Sequence, residues 1–129
     1  MSLKEYFKNQ DGIGVLSTAD AQGRVNSAVY SRPHIMEDGT AAFIMTSRLS
    51  YQNVQANPQA AYLFIEKGSG YEGKRLRLTK VKETDDAGLI ASLRTRSYQA
   101  NEEQAMKPLH LVYLRIEEER PLIGEDDAL

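Results

Sequence analysis

The sequence FIMTSRLSYQNVQANP, residues 43–58, holds a strand end, a polar turn and a short helix in direct succession. The apolar run over residues 41–45 predicts a strand. Pro58 predicts the end of the helix near residue 57, because proline disfavours helical geometry in the residue before it. Between these two limits the chain carries three aliphatic hydroxyl groups and one guanidinium. They belong to Thr46, Ser47, Ser50 and Arg48.

Two interpretations of this polar turn stay open from the residues alone. Ser50 is in position to cap a helix that begins at about Tyr51, because its hydroxyl oxygen can accept a hydrogen bond from a backbone N–H of the first turn. A helix N-terminus also attracts anions through its unpaired N–H groups and partial positive charge, so the hydroxyls and Arg48 would form a phosphate site there. The alternative is an ordinary capped helix that follows a strand.

The composition is that of an ordinary globular protein. The 129 residues are 41% hydrophobic and 26% charged with a net charge of −2, which predicts one domain over residues 1–129 and gives no basic field for nucleic acid or a membrane surface. No cysteine is present, which excludes thiolate chemistry, and two histidines make a histidine-rich metal site unexpected. The N-terminus has no long apolar run, so we expect neither signal peptide nor membrane span, and a cytoplasmic protein.

The remaining pattern predicts a mainly β protein. Short apolar or alternating runs predict six strands, over residues 13–18, 24–32, 41–45, 60–65, 74–84 and 109–117. Residues 60–65 are apolar on both faces, which indicates a central strand buried on each side. Six mostly antiparallel strands in a chain of this length favour a closed or partly closed barrel.

Helices are predicted as short additions to these strands. Residues 2–10 form an amphipathic pattern in which Ser2 and Glu5 would make a capping box. A second helix is predicted to run to about residue 95 after a cap supplied by Thr84-Asp85-Asp86, and a further short helix from Asn101 stays open.

Four residues outside the polar turn are further candidates for a site, and two of them allow more than one interpretation. Tyr30 could stack near a bound ring or pack under a barrel lid. Arg32 could bind phosphate, pair with an acid of a partner subunit or face water. His34 is expected in an exposed loop, and His110 is expected to be half-buried and hydrogen-bonded. A general base needs a partner within reach, and two separated histidines give no basis for a Ser-His-Asp arrangement.

Three segments, in this order, carry a family resemblance. The first pairs GVLSTAD at residues 14–20 with RVNSAVY at 24–30, and the second joins MTS at 45–47 to SYQNVQANP at 50–58. The third is LVYLRI at 111–116 followed by RPLIG at 120–124. The chain thereby resembles the pyridoxamine 5′-phosphate oxidase-like family of FMN-binding split barrels, and in particular its short FMN-binding proteins.

The resemblance implies a six-stranded antiparallel split β-barrel that is one subunit of a homodimer, with FMN at the subunit interface. The flavin ring would lie against the second strand, at Ala28, Val29, Tyr30, Ser31 and Arg32. The phosphate would lie at the polar turn and helix start, at Thr46, Ser47, Arg48, Ser50 and Tyr51, with Asn53 one helical turn on. The partner's loop, residues 68–73, could cover the ring with Tyr71.

Two departures from the family pattern shape the expected function. The family commonly has a lysine just before this helix, where this chain has Ser50, so Arg48 is expected to take the phosphate charge, with Arg32 as a second candidate. The full-length vitamin B6 oxidases end in an Arg-x-His segment that reads the substrate, and nothing after residue 116 matches it. We therefore expect no oxidation of pyridoxamine phosphate.

The function implied is that of an FMN-dependent oxidoreductase with an unknown small-molecule substrate. Flavins carry redox chemistry in their own ring, which suits a chain without an evident acid–base set. The alternative is a non-enzymatic dimeric split barrel that binds a ligand or partner and has lost FMN. A deazaflavin or haem in place of FMN also stays open, because related barrels serve those.

Overall fold

The computed structural model describes residues 2–68, 70–94 and 108–124. The elements in chain order are α1 (Leu3–Asn9), β1 (Gly12–Ala19), β2 (Val25–Val29), β3 (His34–Ile35), β4 (Ala41–Thr46), α2 (Leu49–Ala56), β5 (Gln59–Glu66), β6 (Gly73–Thr84), α3 (Ala87–Leu93) and β7 (Leu109–Pro121). The fold is mainly β, as predicted. The open question of a helix from Asn101 lies outside the described residues.

The strands pair antiparallel in one seven-stranded sheet, in the order β2-β1-β5-β6-β7-β4-β3. The expectation of six strands closing into a barrel is corrected in two respects. The second predicted strand ends at Val29, and the chain beyond Pro33 forms the separate strand β3 by pairing with Ala41 and Ala42. In addition, β2 and β3 are the two edges of the sheet in the described part of the chain, so the sheet is open.

The sheet nevertheless curls around one apolar interior. Phe43 on β4 and Tyr62 on β5 stand three places apart in the sheet order, yet their ring centroids are 5.1 Å apart. Phe7 of α1 closes this interior from one side and meets the Tyr62 and Phe64 rings edge-on. The burial of these aromatic side chains is the main source of stability at this point of the fold.

Two of the three predicted helix caps are confirmed. Ser2 accepts a hydrogen bond from the Glu5 N–H, and Glu5 completes the capping box before α1. Asp86 accepts from the Leu89 N–H at the start of α3. Among the described residues no helix is both long and apolar enough to cross a lipid bilayer.

Gly14 leaves room for a tyrosine of the neighbouring strand. A Cβ at this position would lie 1.8 Å from the Tyr62 hydroxyl and 2.7 Å from the Tyr30 carbonyl oxygen. In the space that remains, Tyr62 donates a hydrogen bond to that carbonyl at 3.1 Å. This hydrogen bond links β5 to the residue that follows β2, although β1 lies between the two strands in the sheet.

The outward side chains of β1, β2 and β5 form an exposed apolar surface, which we call the outer apolar face. Its exposure is high at several positions: Val25 is 80% exposed, Val29 75% and Ile13 61%. It consists of Ile13, Val15, Val25, Val29, Leu63 and Ile65.

The outer apolar face corrects one prediction about β5. Burial on both faces was expected, but only Ala60, Tyr62 and Phe64 are buried, while Ala61 and Ile65 are exposed. The side chains of a strand alternate between two faces, so one series enters the interior and the other faces away from it. The described part of the chain leaves that second series uncovered.

Candidate functional site

A cavity of about 400 Å³ lies between the edge strand β2, the segment that follows it, β4 and the start of α2. It unites residues that the sequence assigned to two separate stretches, the second strand and the polar turn. The predicted site residues that line it are Ala28, Val29, Tyr30, Ser31, Arg32, Thr46, Arg48 and Ser50.

The start of α2 differs from the prediction. The helix begins at Leu49 with Arg48 as N-cap, and the Arg48 side chain makes no capping hydrogen bond. Ser50 is inside the first turn and only 4% exposed, so its prediction as N-cap is wrong. The reason is a tight turn: the Arg48 N–H donates to the Thr46 carbonyl at 2.7 Å, which brings the chain into helical geometry two residues early.

Tyr30 forms part of the inner wall of the cavity. Its ring meets the Phe43 ring edge-on, with centroids 6.0 Å apart, so it packs against the core and borders the cavity. A place beside a flavin stays a prediction. Burial raises the pKa of Tyr30, and a hydrogen bond with Ser50 and the positive charge of Arg48 offset part of that rise. The phenol is therefore protonated at neutral pH and can donate a hydrogen bond.

Arg32 is held by the N-terminal part of the chain. Its side chain is 12% exposed, donates to the Gln10 carbonyl and lies 3.6 Å from the Asp11 carboxylate. It also borders a second cavity of about 730 Å³ next to Asp11 and Lys67. The acid beside Arg32 is Asp11 of its own chain, so the predicted pair with an acid of a partner subunit stays a prediction. Arg48 is the cation placed at the start of α2.

Several lining residues were not predicted from the sequence. His34 was expected in an exposed loop, but it lies half-buried in β3 and lines the cavity, so that prediction is wrong. Its position follows from pairing with Ala42 across the turn at residues 37–39. A strand of two residues is too short to show a pattern from which this pairing could be predicted. The other unpredicted lining residues are Asn26, Ala42, Phe43, Ile44, Leu49, Leu93 and Arg94.

Ser47, Tyr51 and Asn53 bond elsewhere. The Ser47 hydroxyl lies 2.9 Å from Nε2 of His110, and the Tyr51 ring stacks on the same imidazole. Asn53 is buried and donates to the Thr18 hydroxyl at 3.0 Å. None of the three is among the cavity-lining residues described above, and their contact with a cofactor stays a prediction.

Glu83 organises the polar groups beside His110. Its carboxylate accepts hydrogen bonds from Tyr51, Gln55 and Lys80. Burial of the carboxylate opposes its charge, but these three donors outweigh it and lower the pKa of Glu83 to about 2. The hydrogen bond between Tyr51 and Glu83 is also the main reason that the pKa of Tyr51 rises to about 12. His110 itself is half-buried and hydrogen-bonded, as predicted.

Tyr71, the residue considered for covering a partner's ring, is 80% exposed in the loop before β6. Such a contact would involve a second subunit, so its role stays a prediction.

A family model for pyridoxamine 5′-phosphate oxidase matches residues 4–122 of the sequence. No curated protein matches. Among solved structures, an FMN-binding protein from Syntrophomonas wolfei is similar over 95% of this chain and 84% of its own, at 16% identity and a TM-score of 0.75.

Two further solved structures have other ligands in their names. An F420 reductase is similar over 93% of this chain and 98% of its own, at 17% identity and a TM-score of 0.66. HutZ, the heme storage protein from Vibrio cholerae, is similar over 91% of this chain and 90% of its own, at 19% identity and a TM-score of 0.66. At these identities the structures show a shared fold.

Proposed function

Because this chain belongs to the pyridoxamine 5′-phosphate oxidase-like family, we propose that it is an FMN-binding flavoprotein that acts as an oxidoreductase on a small molecule. The observation that carries the proposal is the single cavity that joins the second-strand residues to the polar turn. A flavin nucleotide has an apolar ring at one end and a phosphate at the other, and the cavity offers different groups to each.

The phosphate end is assigned to the start of α2. The Thr46 and Ser50 hydroxyls and the Arg48 guanidinium border the cavity there, next to the unpaired N–H groups of the first helical turn. The lining also includes Arg32 and Arg94, and no carboxylate among the described lining residues. A cavity lined by cations and hydroxyls favours an anionic ligand.

The ring end is assigned to the wall formed by β2 and β4. Ala28, Val29, Phe43 and Ile44 contribute apolar surface to it. Because β2 is an edge strand, the backbone groups on its far side are not used by a neighbouring strand in the described sheet. These groups could bond the polar edge of a flavin.

The flavin, when bound, supplies the electron transfer itself. The residues of this chain bind and orient it. The protonated Tyr30 phenol is a hydrogen-bond donor on the inner wall, and Arg48 balances the phosphate charge at the outer end. The described lining residues do not identify a substrate, whose identity is left to experiment.

We also propose a homodimer in which the partner covers the outer apolar face. Six apolar side chains on three adjacent strands exceed the scattered exposure that is normal for a monomer surface. The edge strand β2 takes part in both this face and the cavity, so a partner seated on it would also border the cofactor.

The cofactor is tested by the absorption spectrum of the purified protein and of the ligand that heat releases from it. If the protein purifies empty, FMN titration followed by flavin fluorescence replaces the spectrum. We expect a flavin spectrum or saturable FMN binding. A haem or deazaflavin spectrum would replace FMN, and no binding at all would favour the dimeric ligand- or partner-binding module.

The dimer is tested by sedimentation of the wild type and of Ile13→Asp. We expect a dimer that the buried charge disrupts, because burying an unpaired carboxylate in an interface is strongly unfavourable. Val81→Asp is the matched control, because Val81 is exposed on β6 beyond the segment paired with β5. A stable wild-type monomer at micromolar concentration contradicts the proposal.

Pyridoxamine phosphate is not expected to be a substrate. Residues 115–121 of this chain continue β7 and carry Arg115 paired with Glu117, and Glu118 paired with Arg77. An oxidase assay with peroxide detection on the FMN-loaded protein tests this. Robust turnover would mean that the substrate-reading residues lie elsewhere.

A further inference from the structure

Ser47, His110 and Asp85 form a hydrogen-bonded chain, and none of the three is among the lining residues of the cavity proposed for the flavin. Ser47 Oγ lies 2.9 Å from His110 Nε2, and His110 Nδ1 lies 2.8 Å from the Asp85 carboxylate. The three residues come from different parts of the sheet: Ser47 follows β4, His110 lies in β7 and Asp85 follows β6.

The carboxylate fixes the protonation of the imidazole nitrogens. An ionised carboxylate can only accept hydrogen bonds, so Nδ1 carries the proton and donates it to Asp85. In the neutral imidazole Nε2 is then the acceptor, and the Ser47 hydroxyl donates to it. This is the arrangement in which an imidazole acts as general base toward a serine hydroxyl.

The imidazole is fixed while the hydroxyl is accessible. The Tyr51 ring stacks on His110 with centroids 4.0 Å apart and an interplanar angle of 8°. Only 12% of the His110 side chain is exposed, whereas Ser47 is exposed to solvent. A solvent-accessible hydroxyl on a shielded base can meet a small substrate without movement of the base.

A divalent cation is the competing use of this cluster. Ligand atoms of Glu83, Asp85 and His110 lie within 4.8 Å of one another. However, the Glu83 carboxylate already accepts from Tyr51, Gln55 and Lys80, and the Lys80 ammonium lies 2.6 Å from it. A cation would compete with that ammonium for the carboxylate and be repelled by it, so the arrangement favours proton transfer.

We propose that Ser47 is the nucleophile of an acyl-transfer site that hydrolyses small carboxylic esters with good leaving groups. Ser47 Oγ attacks the ester carbonyl and forms a new C–O bond while its proton passes to His110 Nε2. The ester C–O bond then breaks, and the departing alcohol oxygen takes that proton. Water cleaves the acyl-Ser47 ester with the same base, releasing the carboxylic acid and restoring the hydroxyl.

The first experiment measures hydrolysis of p-nitrophenyl acetate by the full chain. General-base activation contributes about a hundredfold or more, so Ser47→Ala is expected to lose about that factor. Ser92→Ala is the matched control, because Ser92 is an exposed serine whose hydroxyl bonds the Leu89 carbonyl of its own helix. Quenched reactions are expected to carry one acetyl group on the peptide that contains Ser47.

The second experiment separates base from positioning residue. His110→Gln is expected to lose activity to the same extent as Ser47→Ala. Asp85 acts through His110, so Asp85→Asn should lower kcat and Asp85→Glu should recover part of it. A merely structural carboxylate would not show that recovery at equal thermal stability.

A third measurement does not depend on how the variants fold. An aryl fluorophosphonate probe added to the wild type is expected to label Ser47, as located by peptide mapping. A label or acetyl group on a lysine or tyrosine overturns the proposal. It is also overturned if Ser47→Ala hydrolyses the ester as fast as the wild type, if His110→Gln alone loses activity, or if EDTA abolishes the reaction. None of these readouts involves flavin.

Discussion

The polar turn has two sides with opposite chemistry. Thr46, Arg48 and Ser50 border the cavity, whereas Ser47 and Tyr51 bond the His110 group. An extended backbone sends successive side chains in opposite directions, and the backbone at Arg48 is extended. Neighbours in sequence therefore reach different environments, and a run of hydroxyls in a sequence need not form one site.

The two sides differ most in charge. The cavity side has arginines and no described carboxylate in its lining, whereas the other side holds Glu83 and Asp85. A phosphate is attracted to the first side and repelled by the second. The comparison predicts that substitutions on the two sides change different measurements.

Arg48→Ala has the largest expected effect. A charge-assisted hydrogen bond to phosphate is worth about 1.5–3 kcal/mol, which corresponds to FMN binding weaker by about one to two decades. Riboflavin lacks the phosphate, so its affinity should change little. Fluorescence titration of both ligands measures this, and ester hydrolysis should be unaffected.

Arg115→Ala is the matched control for Arg48→Ala, because Arg115 is an exposed arginine of β7 paired with Glu117. If Arg48→Ala leaves FMN affinity intact and Arg32→Ala abolishes FMN binding, Arg32 is the cation that neutralises the phosphate. The assignment of the phosphate end to the start of α2 would then be wrong.

Glu83→Gln is expected to destabilise the other side in a pH-dependent way. The pKa of Glu83 is lowered to about 2 in the folded protein, so its contribution is present above the ordinary carboxyl range and is lost as the pH falls toward 2. We expect a loss of about 1.5 kcal/mol at pH 7, because one donor-rich charged site becomes neutral. Urea denaturation at pH 7 and pH 3 measures the loss, which should shrink at pH 3.

Glu72→Gln, at an exposed glutamate of the loop before β6, is the control for Glu83→Gln. An equal loss at both pH values would assign the effect of Glu83 to packing.

Tyr51→Phe is expected to have the smallest effect. It removes one hydrogen bond to Glu83 and keeps the ring on His110, so the free energy of unfolding should fall by about 1 kcal/mol. FMN affinity should stay within experimental error, since Tyr51 does not line the described cavity. Tyr71→Phe, in an exposed loop, is the control, and a tenfold loss of FMN affinity in Tyr51→Phe would contradict the division into two sides.

Local patterns in the sequence predicted the local features of the fold. The Ser2 and Asp86 caps and most strand positions follow from nearby residues, and the resemblance joined the second strand to the polar turn. The Ser47–His110–Asp85 chain could not be predicted, because Ser47 and Asp85 lie 63 and 25 residues from His110. Their meeting depends on the pairing of β7 with β4 on one side and with β6 on the other. The register between β6 and β7 also shifts at two points, which no local pattern indicates.

The predictions for the start of α2 and for the burial of β5 were wrong for different reasons. Ser50 matched the residue preference for an N-cap, but the tight turn at Thr46 and Arg48 moved the cap by two residues. The apolar positions Ala61 and Ile65 of β5 gave no sign of which face the chain itself would cover. An apolar pattern indicates that a strand face is to be buried, but it does not show which segment, or which subunit, covers that face.

The hydrogen at Gly14 sets the shape of a cavity that the residue does not border. The Tyr62 hydroxyl passes through the space where a methyl group would stand and holds the carbonyl of Tyr30. Laboratory evolution aimed at ligand range could therefore act on this remote position. An alanine there would displace Tyr62 and free the Tyr30 carbonyl. The inner wall would then change its shape although no lining residue has been substituted.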